Sequence, residues 1–200
     1  NVVLECSKEA NVKRVIYSST ASVYGNNKLP SIETQFPDPI NPYALSKAVG
    51  EDLCSMYSKI YNLETIILRY FNVYGNRQPS KSLIVGIFIE QYLNGQKLTV
   101  AGDGSQRRDF INVQDIVKAN ILCSTFNFDK KYFGDKFNIG TGKNYSIKEL
   151  AMMFNTEIEM LPNIDGGQQD MLASIEKTKN ILNWEPQIDF KQYIKEMVDK

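Results

Sequence analysis

The sequence predicts an α/β fold built on a parallel sheet, and three observations carry that expectation. Val15-Ile16-Tyr17 and Thr65-Ile66-Ile67-Leu68 are short, continuously apolar and β-branched, as strands buried on both faces of a parallel sheet are. Between them, Tyr43 to Tyr61 reads as one long helix, with Pro42 at its first position. Strand, helix and strand in that order make a βαβ unit.

Taken in chain order, Asn1 to Ala10 reads as the last turns of an amphipathic helix with Val3, Leu4 and Cys6 turned inward. The first strand runs into a hydroxyl cluster, Ser18-Ser19-Thr20-Ala21-Ser22, ahead of the long helix and the second strand. Leu83 to Leu93 is an apolar helix ending at Asn94-Gly95, where glycine can take the left-handed cap conformation. Leu98-Thr99-Val100 follows as a strand. Asp115 stands ahead of Ile116 to Leu122 as a helix N-cap. Residues 127 to 136 read as a polar surface loop. Ser146-Ile147-Lys148-Glu149 has the capping-box pattern, so a helix starts there. Gly102-Asp103-Gly104 and Gly140-Thr141-Gly142 read as turns.

Two hundred residues, 42% hydrophobic and 23% charged, suffice for a sizeable core in one or two domains. Lys plus Arg and Asp plus Glu both number 23, so no basic surplus points to nucleic acid or an anionic membrane. The three cysteines, Cys6, Cys54 and Cys123, are widely spaced without a metal-ligand pattern and read as reduced core thiols of a cytoplasmic protein. With no histidine, a Ser-His-Asp triad, a Cys-His pair and a histidine-bound metal are excluded within the chain. No apolar run approaches the ~18 to 20 residues of a membrane helix. A catalytic base must come from another residue type.

Tyr43 and Lys47 offer one. Four residues apart on a helix, they leave the same face. A phenol ionises near pH ~10 in isolation, and a nearby ammonium favours the phenolate, which makes Tyr43 usable as a base. The Thr20 hydroxyl could share the transferred proton. The other reading of the pair, as surface residues of a helix, needs no chemistry at all.

These motifs resemble the extended short-chain dehydrogenase/reductase family, on its branch of nucleotide-sugar epimerases and dehydratases. Further matching segments are Leu68-Arg69-Tyr70-Phe71-Asn72-Val73-Tyr74-Gly75, Gly102 to Phe110, Phe137-Asn138-Ile139-Gly140-Thr141-Gly142 and Leu182-Asn183-Trp184-Glu185-Pro186. A lone Tyr-x-x-x-Lys is weak, but five segments in the family's order are specific. The resemblance implies an NAD-dependent reaction in which the cofactor takes a hydride from a sugar carbon while Tyr43 takes the hydroxyl proton, leaving a keto-sugar. It gives Lys47 the nicotinamide ribose, Thr20 the sugar hydroxyl, Ser18 a place beside the cofactor, and Asn72 and Arg108 the diphosphate, for which an arginine fork is well suited. Dehydratases of the family carry an Asp-Glu pair after the threonine. Ala21 and Ser22 stand there, so the resemblance favours a UDP-sugar 4-epimerase of the UDP-glucose or UDP-N-acetylglucosamine type, ahead of a dehydratase or a non-catalytic binding chain.

Two departures stand out. The glycine-rich turn that opens a dinucleotide fold is missing, so the expected fold is an incomplete doubly wound, Rossmann-like sheet interleaved with a smaller α/β substrate domain. The chain is expected to be the C-terminal two thirds of a longer protein. Residues 1–75 and 108–142 are assigned to the cofactor domain, and 76–107 and 143–200 to the substrate domain. Second, Ile164-Asp165-Gly166-Gly167 occupies the place of a second diphosphate arginine, and Met171 falls where the family sizes its sugar pocket. The family's habit of pairing through helices implies a homodimer using the Tyr43 to Tyr61 helix.

Overall fold

Three parallel strands organise the chain, in the order β1 (Arg14–Thr20), β2 (Glu64–Tyr70) and β7 (Asp135–Ile139). The structure is a computed structural model and describes residues 1–78, 82–163 and 168–199. Around the sheet, α1 (Val2–Glu9) and α2 (Pro42–Tyr61) precede β2. They are followed by β3 (Asn72–Tyr74), α3 (Ile84–Leu93), β4 (Leu98–Ala101), β5 (Arg107–Arg108), β6 (Phe110–Asn112) and α4 (Val113–Thr125). After β7 come β8 (Tyr145–Ser146), α5 (Ile147–Met152), β9 (Ile158–Leu161), α6 (Glu176–Leu182) and α7 (Phe190–Val198).

β2 is the central strand, with α2 packed on it and α2 and α4 both packed on β1. Ile66, Ile67 and Leu68 are wholly buried, each worth about 1.5–3 kcal/mol of apolar burial. β1 is the outer strand, so Val15, Ile16 and Tyr17 are half-buried, where burial on both faces was expected. α2 forms as its sequence predicts. Asn41 caps it by accepting from Ala44 N at 2.8 Å, Pro42 occupies the first turn, and Asn62 ends it in the left-handed conformation at φ 56°.

Sheet and α4 enclose one core, which also takes in Met171, Ala173, Leu182 and Trp184, and a smaller third group, Leu4, Cys54, Tyr57, Leu63 and Ile67, lies between α1, α2 and the sheet. A second core is rich in aromatic rings. Phe88, Phe110, Phe154 and Phe190 pack there with Tyr74, Leu98, Val100, Leu150 and Ile194, and the Phe110 and Phe190 rings stack at 4.6 Å. The parallel pair β4–β9 and helices α3, α5 and α7 supply it. The predicted capping box at Ser146 and Glu149 is present in both directions.

Several expectations are corrected. In α1 only Leu4 is buried; Val3 is 71% exposed and Cys6 faces solvent, so Cys54 and Cys123 alone are core thiols. Asn112, not Asp115, caps α4, accepting from Gln114 N at 2.9 Å. Asp115 lies within the first turn, and its Oδ2 accepts the backbone N–H groups of Gln187 and Ile188, both at 3.0 Å. The stretch 127 to 136 is not all surface: Phe128 is buried beneath the Arg14 guanidinium, and Asp135 already belongs to β7. Its aromatic residues decide this against its charges. No helix among the described residues is long and apolar enough to cross a membrane.

Candidate active site

The pleat of β1 sends successive side chains to opposite faces. Tyr17 and Ser19 point to α2. Gly50 makes room for the first, because a Cβ there would lie 2.1 Å from the Tyr17 hydroxyl oxygen. Ser19 Oγ donates to Glu51 on the same helix. Ser18 and Thr20 point the other way. Ser18 Oγ lies 3.2 Å from the Tyr70 hydroxyl, which in turn donates to Asn120 Oδ1 of α4 at 3.0 Å.

The backbone at this strand end meets α2 directly. Lys47 Nζ donates to the Ser18 carbonyl at 2.8 Å and stands 5.3 Å over the Tyr17 ring. An ammonium has three donors, so two remain for a ligand. Tyr43, one turn earlier on the same face, is 56% exposed, and its hydroxyl bonds to none of the described residues. Thr20 caps the short 3-10 turn Ala21–Tyr24, accepting from Ser22 N and donating to Ser22 Oγ, both at 3.2 Å. Ala21 is buried and Ser22 faces Thr20, so no carboxylate enters from the two positions after the threonine. A solvent-reached phenol and an ammonium held at Ser18 thus share one face of α2, and the Thr20 hydroxyl closes β1.

Asn72 and Arg108 form a second group. Thr20 pairs in register with Tyr70, and the chain turns two residues later into Asn72, the start of β3. Asn72 Nδ2 donates to the Asp109 carbonyl at 3.3 Å and to Met171 Sδ at 3.2 Å. Arg108 Nη1 donates to the carbonyls of Arg107 and Gln169, both at 2.9 Å, and burial lowers its pKa from the ordinary arginine value. Arg107 is held elsewhere, by Asn144 and Glu149. Asp109 balances neither arginine. It is fully buried and accepts from Thr141 N, Thr141 Oγ1, Gly142 N and Ala173 N, fastening two loops beside Asn72; burial nonetheless pushes its carboxyl up. Ile164 to Gly167, where a second arginine was sought, lie outside the described residues.

Sequence reasoning missed a buried polar chain behind the first group. Glu51 and Arg69, both with wholly buried side chains, pair through Arg69 Nε at 2.9 Å and Nη2 at 2.6 Å. The guanidinium lies 4.6 Å over the Tyr24 ring, and Tyr24 donates to Asn138 Oδ1 at 2.6 Å. Asn138 Nδ2 donates on to the carbonyls of Ser31 and Ser174. The signal was present: an arginine inside an apolar strand, and a glutamate one turn after Lys47.

Comparison with known proteins bears on the family and the fold. The sequence model of the NAD dependent epimerase/dehydratase family matches residues 1–140. The chain is similar to the solved UDP-glucose 4-epimerase of Thermotoga maritima with UDP-glucose, at TM-score 0.91 and 33% identity, over 99% of this chain and 66% of that one. It is similar to the UDP-glucuronic acid 4-epimerase of Bacillus cereus, solved with UDP-glucuronic acid and NAD, at TM-score 0.90 and 30% identity, over 98% and 64%. The mouse dTDP-D-glucose 4,6-dehydratase is 32% identical over 213 residues, covering 100% of this chain and 58% of the relative. The chain thus spans less than two thirds of the curated relatives' length, and both epimerases and dehydratases stand among its relatives. Fold, motif order and the match over residues 1–140 together place this chain in the NAD dependent epimerase/dehydratase family.

Proposed function

We propose that this chain carries the proton-transfer and sugar-nucleotide residues of an NAD-dependent UDP-hexose 4-epimerase. The observation that supports this most is the grouping at the end of β1: exposed Tyr43, Lys47 bonded to Ser18, and Thr20 followed by residues without a carboxylate. The donor set suits a dinucleotide, since Lys47 keeps two N–H groups for a ribose beside the Ser18 carbonyl. Bound NAD supplies a two-electron acceptor that returns what it takes.

In this reading Tyr43 removes the proton of the sugar 4-hydroxyl as that carbon is oxidised, and gives it back when the 4-keto-sugar is reduced from its other face. Lys47 stays bonded to the Ser18 carbonyl and keeps its remaining donors for the cofactor ribose. Thr20 orients the hydroxyl. Asn72 and Arg108 hold the diphosphate, with Asp109 fixing the backbone between them. Dehydration needs an acid and a base on neighbouring carbons, and the absence of a carboxylate at 21 and 22 is what favours epimerisation.

The cofactor part is assigned to residues 1–75 and 108–142 and the substrate part to 76–107 and 143–200. Leu45, Val49, Met56 and Ile60 make an exposed apolar stripe along α2, and we assign it to a homodimer interface. A monomeric sedimentation coefficient contradicts that assignment. The three free thiols fit a cytoplasmic setting.

Product analysis tests the function. The chain is incubated with NAD and UDP-glucose, and the nucleotide sugars are separated and weighed. The reading predicts an epimer of unchanged mass; a product lighter by one water assigns a dehydratase instead.

A further inference from the structure

Glu51 accepts three bonds in a fully buried site, from Ser19 Oγ, Arg69 Nε and Arg69 Nη2. A buried ion pair is a poor way to add stability, since apolar residues of similar volume often serve equally well. What the pair adds is direction. Glu51 lies on the helix face of Tyr43 and Lys47, one turn beyond Lys47 and two beyond Tyr43. Its partners sit on the two strands beneath: Ser19 next to Ser18 and Thr20 on β1, and Arg69 on β2, directly paired with Ser19 in the parallel register. Carboxylate, guanidinium and hydroxyl therefore fix both the rotation of α2 about its axis and its height along β1. The guanidinium is itself seated on Tyr24, whose hydroxyl is anchored to Asn138 of β7.

From this we propose that Glu51 and Arg69 are positioning residues, holding α2 so that Lys47 reaches the Ser18 carbonyl and so setting where Tyr43, one turn earlier on the same helix face, stands. The inference rests on the reading of Tyr43 and Lys47 given above. It assigns the buried pair a role in the site's geometry distinct from its role in packing.

The test replaces the pair without leaving a lone charge, as Glu51→Leu/Arg69→Met in the whole chain. Lys47 is followed by limited acetylation and mass spectrometry, relative to the exposed Lys13. Expected are an unfolding midpoint at or above that of the parent and a Lys47 labelling ratio raised about fivefold, the factor that one lost hydrogen bond corresponds to. Glu51→Gln/Arg69→Met, which restores an acceptor for Ser19, should return the ratio towards the parent's. A folded Leu/Met variant with unchanged Lys47 labelling overturns the proposal. Should that variant not fold, Ser19→Ala removes one donor at almost no change of volume. A roughly twofold rise is then expected, and no rise overturns the proposal. On epimerase turnover the Leu/Met variant should lose kcat about 100-fold with KM little changed, as a displaced reacting group does. A parent chain without turnover refutes the functional reading alone, because the labelling ratio decides the positioning role independently.

Discussion

The two larger cores among the described residues are held by different physics. Around the sheet, buried polar groups do the fastening: Glu51 with Arg69, Tyr24 with Asn138, and Asp109 with the amides of Thr141, Gly142 and Ala173. In the second core, aromatic side chains fill space, with Phe88 against Phe154 and Phe190 between Phe110, Tyr74 and Tyr145. Directional bonds are worth little net stability, but they select one geometry among many of similar energy. Apolar packing supplies the stability and tolerates small shifts. The candidate site sits where the directional bonds are.

That contrast can be broken from its largest effect downward. Tyr43→Phe should cost turnover about 10²- to 10⁴-fold while leaving the melting curve in place, because its side chain is largely exposed; steady-state kinetics beside calorimetry would show both. Arg69→Met alone strands the Glu51 carboxylate in the core and should destabilise by about 3–5 kcal/mol in urea titration. Leu98→Met, at an equally buried position of the aromatic core, should cost less than ~1.5 kcal/mol; equal losses at the two positions would erase the distinction.

Between these lies a pH effect. Burial pushes the Tyr24 phenol up to about 12, against about 10 in an unfolded chain. The folded state therefore favours the neutral phenol. The stability it brings is complete below pH 10 and is lost as pH rises through about 12, by about 2–3 kcal/mol. Tyr24→Phe cannot show this loss. Its deficit against the parent at pH 8 should shrink between pH 10 and 12, and a constant deficit in denaturant titrations would contradict the assignment.

Long periodic elements were legible in the sequence. α2 was readable from Pro42, Tyr43 and Lys47, and α5 from the Ser146 and Glu149 box. The ladders β3–β6 and β5–β8 were not, because strands of two or three residues carry no pattern and form through tertiary pairing. Asp109 follows Arg107 and Arg108 in sequence, yet its partners lie 32 to 64 residues away, where no local pattern points. Val3 and Cys6 looked inward because a helix's apolar face in sequence does not say what covers it. Single residues with chemistry, Tyr43, Lys47 and Thr20, were visible. The groups that orient them, Glu51 and Arg69, became visible only as a buried pair.

The most direct test of the central claim follows hydrogen at the reacting carbon. The chain is given NAD and UDP-glucose deuterated at C4, and the product is read by NMR and mass. With Tyr43 handling only the hydroxyl proton, the C4 hydrogen never reaches solvent, so the account predicts UDP-galactose with its C4 deuterium retained. An epimer with deuterium washed out to solvent, or a product short of a water, would contradict it.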